Sequence, residues 1–133
     1  MTRRLDVPSV AGTMLRLALL KASLGMAGFS RTFRWIDTRA QRAALTSADS
    51  DIVAKAEYVV ALAAALYPGH AACLERSLVL YWQLRSSGVA VRYRMGIQMY
   101  PFLAHAWVEY LDAPINDVPE HVRLFRPIEG ALA

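Results

Sequence analysis

A chain of 133 residues that is 56% hydrophobic and 20% charged is short for two domains and too apolar for a disordered protein. Its formal charge of +4 comes without a recognised nucleic-acid motif or aromatic residues interleaved with the arginines, so we expect no nucleic-acid partner. A single cysteine excludes an internal disulfide and a paired-cysteine metal site, and it suits a reducing, cytoplasmic setting.

The first predicted element is a helix that Ser9 caps. Its apolar residues recur at helical spacing, at Val10, Met14, Leu17, Leu20 and Leu24. Arg16 and Lys21 interrupt this apolar stretch well short of the ~20 residues that cross a bilayer. We therefore predict a helix that buries one face, with no transmembrane segment and no secretion signal.

A polar segment from residue 30 to residue 41 comes next and leads toward a second helix whose limits the pattern does not fix. Much of the positive charge lies here and in a later strand, at Arg31, Arg34, Arg39, Arg42, Arg92 and Arg94. Such a run of charge indicates either a solvated helix face or a surface for an acidic partner.

Two stronger helices follow. Ser47 or Ser50 opens the first, which continues through an apolar stripe to Pro68-Gly69. The second begins near Cys73 and ends at Gly88, a suitable residue just after a helix C-terminus. Cys73 is therefore expected at or near a helix N-terminus.

From Val89 the apolar period changes from about 3.6 to 2, which predicts strands. One strand runs from Val89 to Met99, and a second runs from Ala104 to Leu111 with His105, Trp107 and Glu109 on one face. Residues 112–114 are predicted as a turn, 115–117 as the returning strand and 122–126 as a possible further strand. Helices followed by an antiparallel meander indicate an α+β domain.

Three side chains of the predicted layout could form a catalytic set. A helix N-terminus favours the thiolate of Cys73, because unpaired N–H groups and the helix dipole face it. A histidine opposite the thiol can take its proton, and an acid behind the histidine can fix its tautomer. His105 and Asp117 are the candidates for these two roles.

The hairpin between His105 and Asp117 determines whether they share a face. A loop with an odd number of residues, such as 111–113, places both on one face and turns Asn116 away. A loop of two residues places them on opposite faces. We expect the odd loop and prefer Asp117 to Asn116 for this reason.

Each candidate also has a structural interpretation. Cys73 alone is more often a buried structural cysteine, and His105 alone is more often a hydrogen-bonded core histidine. His70 and His121 are weaker candidates for the base, since a loop fixes a base less well than a strand. The ordered combination of cysteine helix, histidine strand and acid on the hairpin return is what favours catalysis.

The sequence resembles the transglutaminase-like leader peptidases of lasso peptide biosynthesis over residues 50–126. The resemblance lies in Cys73-Leu74-Glu75-Arg76-Ser77-Leu78, Gly88-Val89, Met95-Gly96-Ile97, Pro101-Phe102-Leu103-Ala104-His105-Ala106-Trp107-Val108-Glu109 and Pro114-Ile115-Asn116-Asp117. The Cys-Leu-x-Arg-Ser-Leu and His-Ala-Trp-Val-Glu blocks in this order and spacing are its most specific part. The second block alone is not specific, because it is widespread among transglutaminase-like proteins.

This resemblance implies a papain-like, transglutaminase-like core in which Cys73 is the nucleophile, His105 the base and Asp117 the orienting acid, with no cofactor and no metal. It implies a single domain over 1–133, with 1–46 as a helical N-terminal extension and 47–133 as the catalytic core. The substrate would be a ribosomally made precursor peptide, cut between leader and core.

The resemblance also implies partners. A separate leader-binding recognition protein would present the precursor, and an ATP-dependent cyclase would close the ring on the freed amine. Two alternatives stay open at this point: a transglutaminase-like acyltransferase, and a non-catalytic scaffold or adaptor of a peptide-maturation complex.

Overall fold

The computed structural model describes residues 9–45, 50–67, 73–99 and 102–127. The helices in these ranges are α1 at Val10–Ala27, α2 at Phe29–Ala40, α3 at Ser50–Leu66, α4 at Cys73–Ser86 and α5 at Pro119–Val122. The strands are β1 at Val91–Gln98, β2 at Leu103–Tyr110, β3 at Ala113–Pro114 and β4 at Arg126–Pro127. Helices come first and an antiparallel sheet follows, which confirms the predicted α+β class.

Ser9 caps α1 as its sequence predicts. Its Oγ accepts the N–H of Gly12 at 3.1 Å, and its carbonyl oxygen accepts the N–H of Thr13 at 2.9 Å. α1 ends before Gly28, whose φ of 84° lies in the region that glycine adopts without steric cost. A new helix can therefore begin at the next residue.

Residues 30–40 of the arginine-rich segment lie within α2, whereas the sequence pattern predicted only a lead toward a helix. Arginine is a good helix former, and the segment carries Phe33 and Ile36 at a spacing that buries both on one face. Its arginines consequently project from a helix with a fixed geometry.

α1 is long and apolar enough to cross a membrane, judged by length and composition alone. The core helix of a soluble protein meets the same criteria. In this fold α1 packs against α2, α3 and α4, and Leu17 and Leu20 are buried there. Only 17% of this helix is buried. The absence of a transmembrane segment and the cytoplasmic location both stay predictions.

One hydrophobic core joins the helices to the sheet. It combines residues of α1 to α4 with residues of β1 and β2: Leu17, Leu20, Phe33, Ile36, Val53, Ala56, Val60, Ala63, Leu78, Val79, Leu80, Tyr81, Leu84, Val91, Tyr93, Ala106 and Val108. The proposed N-terminal extension thus contributes to the same core as the rest of the chain. The division at residue 46 stays a prediction about sequence organisation.

Two polar contacts fix α4 against the N-terminal helices. Tyr81 donates to a carboxylate oxygen of Asp37 on α2 at 2.5 Å, and Gln83 donates to the hydroxyl of Thr13 on α1 at 2.9 Å. Burial raises the pKa of Tyr81 far above its usual range, and the hydrogen bond to Asp37 adds to the rise. Tyr81 is therefore a permanent donor, and α4 is held in a defined register.

The four strands form one sheet in the order β3-β2-β1-β4. β1, β2 and β3 are a meander, whereas β4 crosses to the opposite edge and pairs with β1. The predicted strand over 122–126 is wrong. Pro119, which is well tolerated in the first turn of a helix, begins α5 instead, and strand pairing starts only at Arg126.

The two faces of the sheet have different environments. Val91, Tyr93, Ala106 and Val108 face the helices and belong to the core. On the other face Trp107, only 1% exposed, packs with Phe125 over Gly96. A Cβ atom at Gly96 would lie 2.8 Å from Cβ of Phe125 and 3.0 Å from Cη2 of Trp107.

Candidate active site

The cysteine of the predicted site is the first residue of α4, as its sequence context predicts. Its side chain lies outside the described part of the chain. Ser77 follows Cys73 by four residues, about one helical turn and 6 Å along the axis. The surroundings of Ser77 therefore indicate which part of the fold the start of α4 approaches.

Ser77 is fully buried and contacts the edge of β2. Its hydroxyl donates to the carbonyl oxygen of Ala106 at 3.1 Å. Ala106 directly follows His105 in the strand. The first turns of α4 thus meet β2 at the residue next to the candidate base.

His105 lies on the face of β2 that points away from the helical core. Its ring packs among Trp107, Phe125 and His121, with centroid distances of 5.8 Å, 5.0 Å and 4.8 Å. Trp107 is itself fixed by a 3.0 Å hydrogen bond from its indole N–H to Glu109. The side chain of His105 is 14% exposed, so its ring is largely enclosed but accessible at one edge.

Asp117 binds His105 directly, through a short hydrogen bond between Oδ2 and the ring Nε2. The same oxygen lies 2.7 Å from Nδ1 of His121, and Oδ1 accepts the backbone N–H of Val118 at 2.7 Å. The structure therefore brings together the histidine and the acid that were selected from the sequence. Because Nε2 of His105 is engaged, its Nδ1 is the nitrogen left to exchange a proton with a thiol.

The hairpin argument behind this pairing is wrong, although the pairing occurs. The loop between β2 and β3 has two residues, Leu111 and Asp112, with φ values of 54° and 63°, and Tyr110 pairs with Ala113. This tight turn starts the return strand at residue 113, two residues before the predicted range. A regular ladder in this register would put Asp117 on the face opposite to His105.

Asp117 reaches His105 because the chain leaves the ladder before that residue. The last ladder bond runs from the N–H of Ile115 to the carbonyl oxygen of Val108 at 3.0 Å. The backbone then bends through residues 115–117, so the alternation of faces no longer applies.

Asn116 has a role that the sequence argument missed. It was expected to point away from the site, but its Oδ1 accepts the N–H of Val108 at 2.9 Å and its Nδ2 donates to Oγ of Ser77 at 2.8 Å. The amide replaces the ladder partner that β3 no longer supplies and connects that edge to α4. The available signal was the asparagine at a strand end, where its side chain commonly bonds to backbone groups.

The electrostatics keep Asp117 ionised. Burial alone raises the pKa of its carboxyl group, but hydrogen bonds from His121, from the N–H of Val118 and from His105 outweigh burial and hold the pKa below its ordinary value. An ionised Asp117 can fix the tautomer of His105 and stabilise its protonated form.

His121 joins the site as a second histidine on Asp117, while His70, the other alternative base, lies outside the described residues. Among the described residues, His105, Asp117 and His121 form a group that could offer three metal ligands within 4.8 Å of one another. In the structure these atoms are hydrogen-bonded to one another, with Oδ2 of Asp117 bonded to both histidine rings.

The assembled parts suit acyl chemistry. An imidazole that Asp117 orients through Nε2 lies beside Ala106, and the helix that begins with the chain's single cysteine is anchored to that same residue. Such parts support attack of a thiolate on a carbonyl carbon.

The sequence pattern of the transglutaminase-like superfamily matches residues 16–130, which include Cys73, His105 and Asp117. The match extends from α1 to beyond β4 and covers most of the chain. No curated protein and no solved structure matches the chain.

Proposed function

This chain belongs to the transglutaminase-like superfamily, and from that premise we propose that it is a cysteine peptidase that removes the leader from a lasso peptide precursor. Cysteine protease activity is common in the superfamily, and acyl transfer is the related activity. In this proposal Cys73 is the nucleophile, His105 the base and Asp117 the acid that orients the base. The cleavage would free the core's N-terminal amine for ring closure.

One observation carries the proposal. The hydrogen bond that Nε2 of His105 donates to Asp117 presents the opposite ring nitrogen for proton transfer, beside the β2 edge to which the cysteine helix is fixed. A histidine held only for packing would not need an ionised partner aligned with its ring.

The reaction follows from these roles. His105 takes the thiol proton as Cys73 attacks the scissile carbonyl, and the resulting oxyanion is stabilised in part by the backbone N–H of Cys73 at the start of α4. The tetrahedral intermediate collapses to a thioester while His105 gives its proton to the departing amine. Water then adds to the thioester, His105 accepts its proton, and the leader leaves with a new carboxylate.

The leader-peptidase assignment rests on the Cys-Leu-x-Arg-Ser-Leu and His-Ala-Trp-Val-Glu blocks in this sequence. We propose that the protein acts in the cytoplasm with a separate leader-binding protein and an ATP-dependent cyclase. A small enzyme gains effective substrate concentration when another protein holds the leader close to the thiol.

The test is to incubate the protein with the precursor encoded beside it, with and without the neighbouring leader-binding protein, and to determine product masses. The proposal predicts a free leader and a free core peptide with the wild type and intact precursor with Cys73→Ala. Cleavage by a folded Cys73→Ala protein would refute the assignment of the nucleophile.

The same product masses distinguish hydrolysis from acyl transfer to an amine. A thioester can pass to an amine as well as to water, so an acyltransferase would give a leader joined to the amine rather than a free carboxylate. A non-catalytic scaffold would leave the precursor intact with the wild type as well as with Cys73→Ala. Its Cys73 would not react selectively with a mild electrophile at neutral pH.

A further inference from the structure

A cavity of about 510 Å³ opens between α1, α2 and α4, away from the residues of the proposed triad. Its walls are mainly apolar and include Leu19, Leu20, Trp35, Ile36 and Trp82. The rings of Trp35 and Trp82 meet edge to face with centroids 5.5 Å apart. The cavity therefore has rigid aromatic walls of the kind that bind a large apolar side chain.

A second cavity of about 350 Å³ adjoins the first on the surface of α2. Four arginines line it: Arg31, Arg34, Arg39 and Arg42. Arg31 and Trp35 line both cavities, so the two form one continuous depression, which we name the α2 groove.

The side chains that the structure describes do not neutralise the positive charge of the α2 groove. Within the part of the chain that the structure describes, none of the four arginines forms an ion pair, and Arg39 stacks on Trp35 with its guanidinium carbon 4.4 Å from the ring centroid. Asp37, the acid of the same helix, is engaged by Tyr81 and Gln41. These guanidinium groups remain available for carboxylates of another molecule.

The apolar part of the groove is also partly open to water. Trp35 is 46% exposed and Leu19 is 54% exposed, although both line the first cavity. Covering such side chains is favourable because it removes apolar surface from water. The apolar recess continues into a row of arginines that have no ion pair among the described residues. It therefore matches a ligand that is both apolar and acidic.

We propose that the α2 groove binds an acidic, amphipathic segment of a partner polypeptide, with an apolar side chain in the first cavity and carboxylates on the arginines. Arg31 and Arg39 are eight residues apart on α2, a rise of about 12 Å, and Arg42 extends the row just beyond the end of the helix. A segment of five or so extended residues would span that length. This function goes beyond the proposed peptidase, because it uses no residue of the triad.

The location of the groove makes it a binding site separate from the place of cleavage. Trp82 follows Cys73 by nine residues in α4, a rise of about 13 Å along the helix axis. A polypeptide bound in the groove and at the thiol together would need a spacer of at least about four extended residues.

The concave shape of the α2 groove and its mixed apolar and arginine lining favour a polypeptide over other anionic partners. A bilayer surface accepts apolar side chains that project into it, whereas here the apolar recess lies between helices. Nucleic acid would use the arginines but would leave the apolar cavity unfilled. Helix-bearing or extended peptides commonly combine an apolar anchor with neighbouring charges.

The test is fluorescence anisotropy with the full-length Cys73→Ala protein and a labelled twelve-residue peptide that carries two leucines one helical turn apart followed by glutamates. A matched peptide has glutamine in place of each glutamate. We expect the glutamate peptide to bind about tenfold more tightly at low salt, since it alone can pair with the arginines.

Two double variants with reversed charges test whether the peptide binds in the α2 groove. Arg34→Glu with Arg39→Glu should weaken binding of the glutamate peptide about tenfold or more. Lys55→Glu with Arg92→Glu makes the same change in net charge at exposed positions on α3 and β1 and should leave the affinity within about twofold. Trp35→Ala should weaken the binding of both peptides, because it removes a wall of the apolar cavity.

The proposal fails if both charge-reversed proteins lose the same affinity for the glutamate peptide, or if the two peptides bind equally well. It also fails if the protein binds phosphatidylglycerol vesicles more tightly than the peptide. Self-association that Arg34→Glu with Arg39→Glu abolishes would overturn it as well. Circular dichroism confirms that each variant is folded before binding is measured. Because the Cys73→Ala protein cannot cleave, failure here leaves the proposed peptidase untouched, and failure of cleavage leaves this proposal untouched.

Discussion

At the scale of single residues, the site is organised by one carboxylate. Asp117 accepts hydrogen bonds from two histidines and a backbone N–H, and it thereby fixes the ring of His105 on one side only. In the proposed mechanism the other ring nitrogen exchanges a proton with the thiol. That mechanism depends on the ionisation of Asp117.

Replacing this residue tests its electrostatic role. We expect Asp117→Asn to lower kcat/KM by roughly 10²–10⁴-fold, because the amide can hold the wrong tautomer of His105 and cannot stabilise its protonated form. The measurement is leader cleavage at neutral pH, with folding verified by circular dichroism. Cleavage within about twofold of wild type would remove Asp117 from the mechanism.

The same variant has a pH signature in its stability. The pKa of Asp117 is lower in the folded than in the unfolded state, so the folded protein binds fewer protons near pH 4 and its stability rises with pH there. The stabilisation is present above the ordinary carboxyl pKa of about 4 and is lost as the pH falls through the folded value. The stabilities of wild type and Asp117→Asn in urea should differ at neutral pH and converge as the pH falls below the folded pKa of Asp117.

A second residue-scale prediction concerns Asn116. Asn116→Ala should lower the free energy of unfolding by about 1–3 kcal/mol, because the buried N–H of Val108 loses its acceptor and the hydroxyl of Ser77 loses one of its two hydrogen bonds. Gln41→Ala is the matched control, since it removes an amide with an exposed hydrogen bond to Asp37 and should cost less than about 0.5 kcal/mol. If urea unfolding shows that both variants lose the same free energy of unfolding, Asn116 does not bridge β2 and α4.

At the scale of elements, the outer face of the sheet depends on the absence of a side chain at Gly96. Gly96→Ala should lower the free energy of unfolding by about 1–3 kcal/mol, because its Cβ would collide with Phe125, Trp107 and the carbonyl oxygen of Arg126. The displaced Phe125 packs on His105, so cleavage should fall as well.

Gly25→Ala provides the comparison for that variant. A Cβ at Gly25, inside α1, meets no atom within 4 Å, and alanine should stabilise the helix by about 0.5–1 kcal/mol. Thermal unfolding of both variants measures the difference. If Gly96→Ala leaves the free energy of unfolding unchanged, β4 and Phe125 do not pack as described.

The elements also show how far local patterns determine this fold. The helix through Cys73, the glycine at its end and the two long strands follow from periodicity and end signals, and all of them occur as predicted. β3 and β4 were misplaced because each is two residues long and gives no alternation to detect. Short edge strands depend on their partners, which lie elsewhere in the chain.

The pairing of His105 with Asp117 was predicted correctly from a mistaken register. Residue types and chain order identified the two side chains, but the two-residue turn and the bend after Ile115 brought them together. Asn116 and Ser77 escaped notice because their roles arise from contact between α4 and the open edge of β2. Sequence spacing alone gives no information about such a tertiary contact.

At the scale of the whole molecule, the N-terminal helices and the sheet share one core. Leu17→Ala in α1 should therefore destabilise the entire protein, by about 2–5 kcal/mol for a fully buried leucine. Unfolding should remain a single transition, with far-ultraviolet circular dichroism and tryptophan fluorescence coincident. Two separated transitions would mean that residues 1–46 fold as an independent unit.

The central claim is that His105, oriented by Asp117, ionises the thiol of Cys73, and the rate of alkylation by iodoacetamide tests it most directly. The chain has one cysteine, so the mass of the intact protein reports that thiol alone. At about pH 6.5 an unassisted thiol is only ~1% ionised, whereas at about pH 10 it is ionised without help. We predict alkylation about tenfold or more faster in wild type than in His105→Gln at the lower pH, and equal rates at the higher pH. Equal rates at both pH values would contradict the claim.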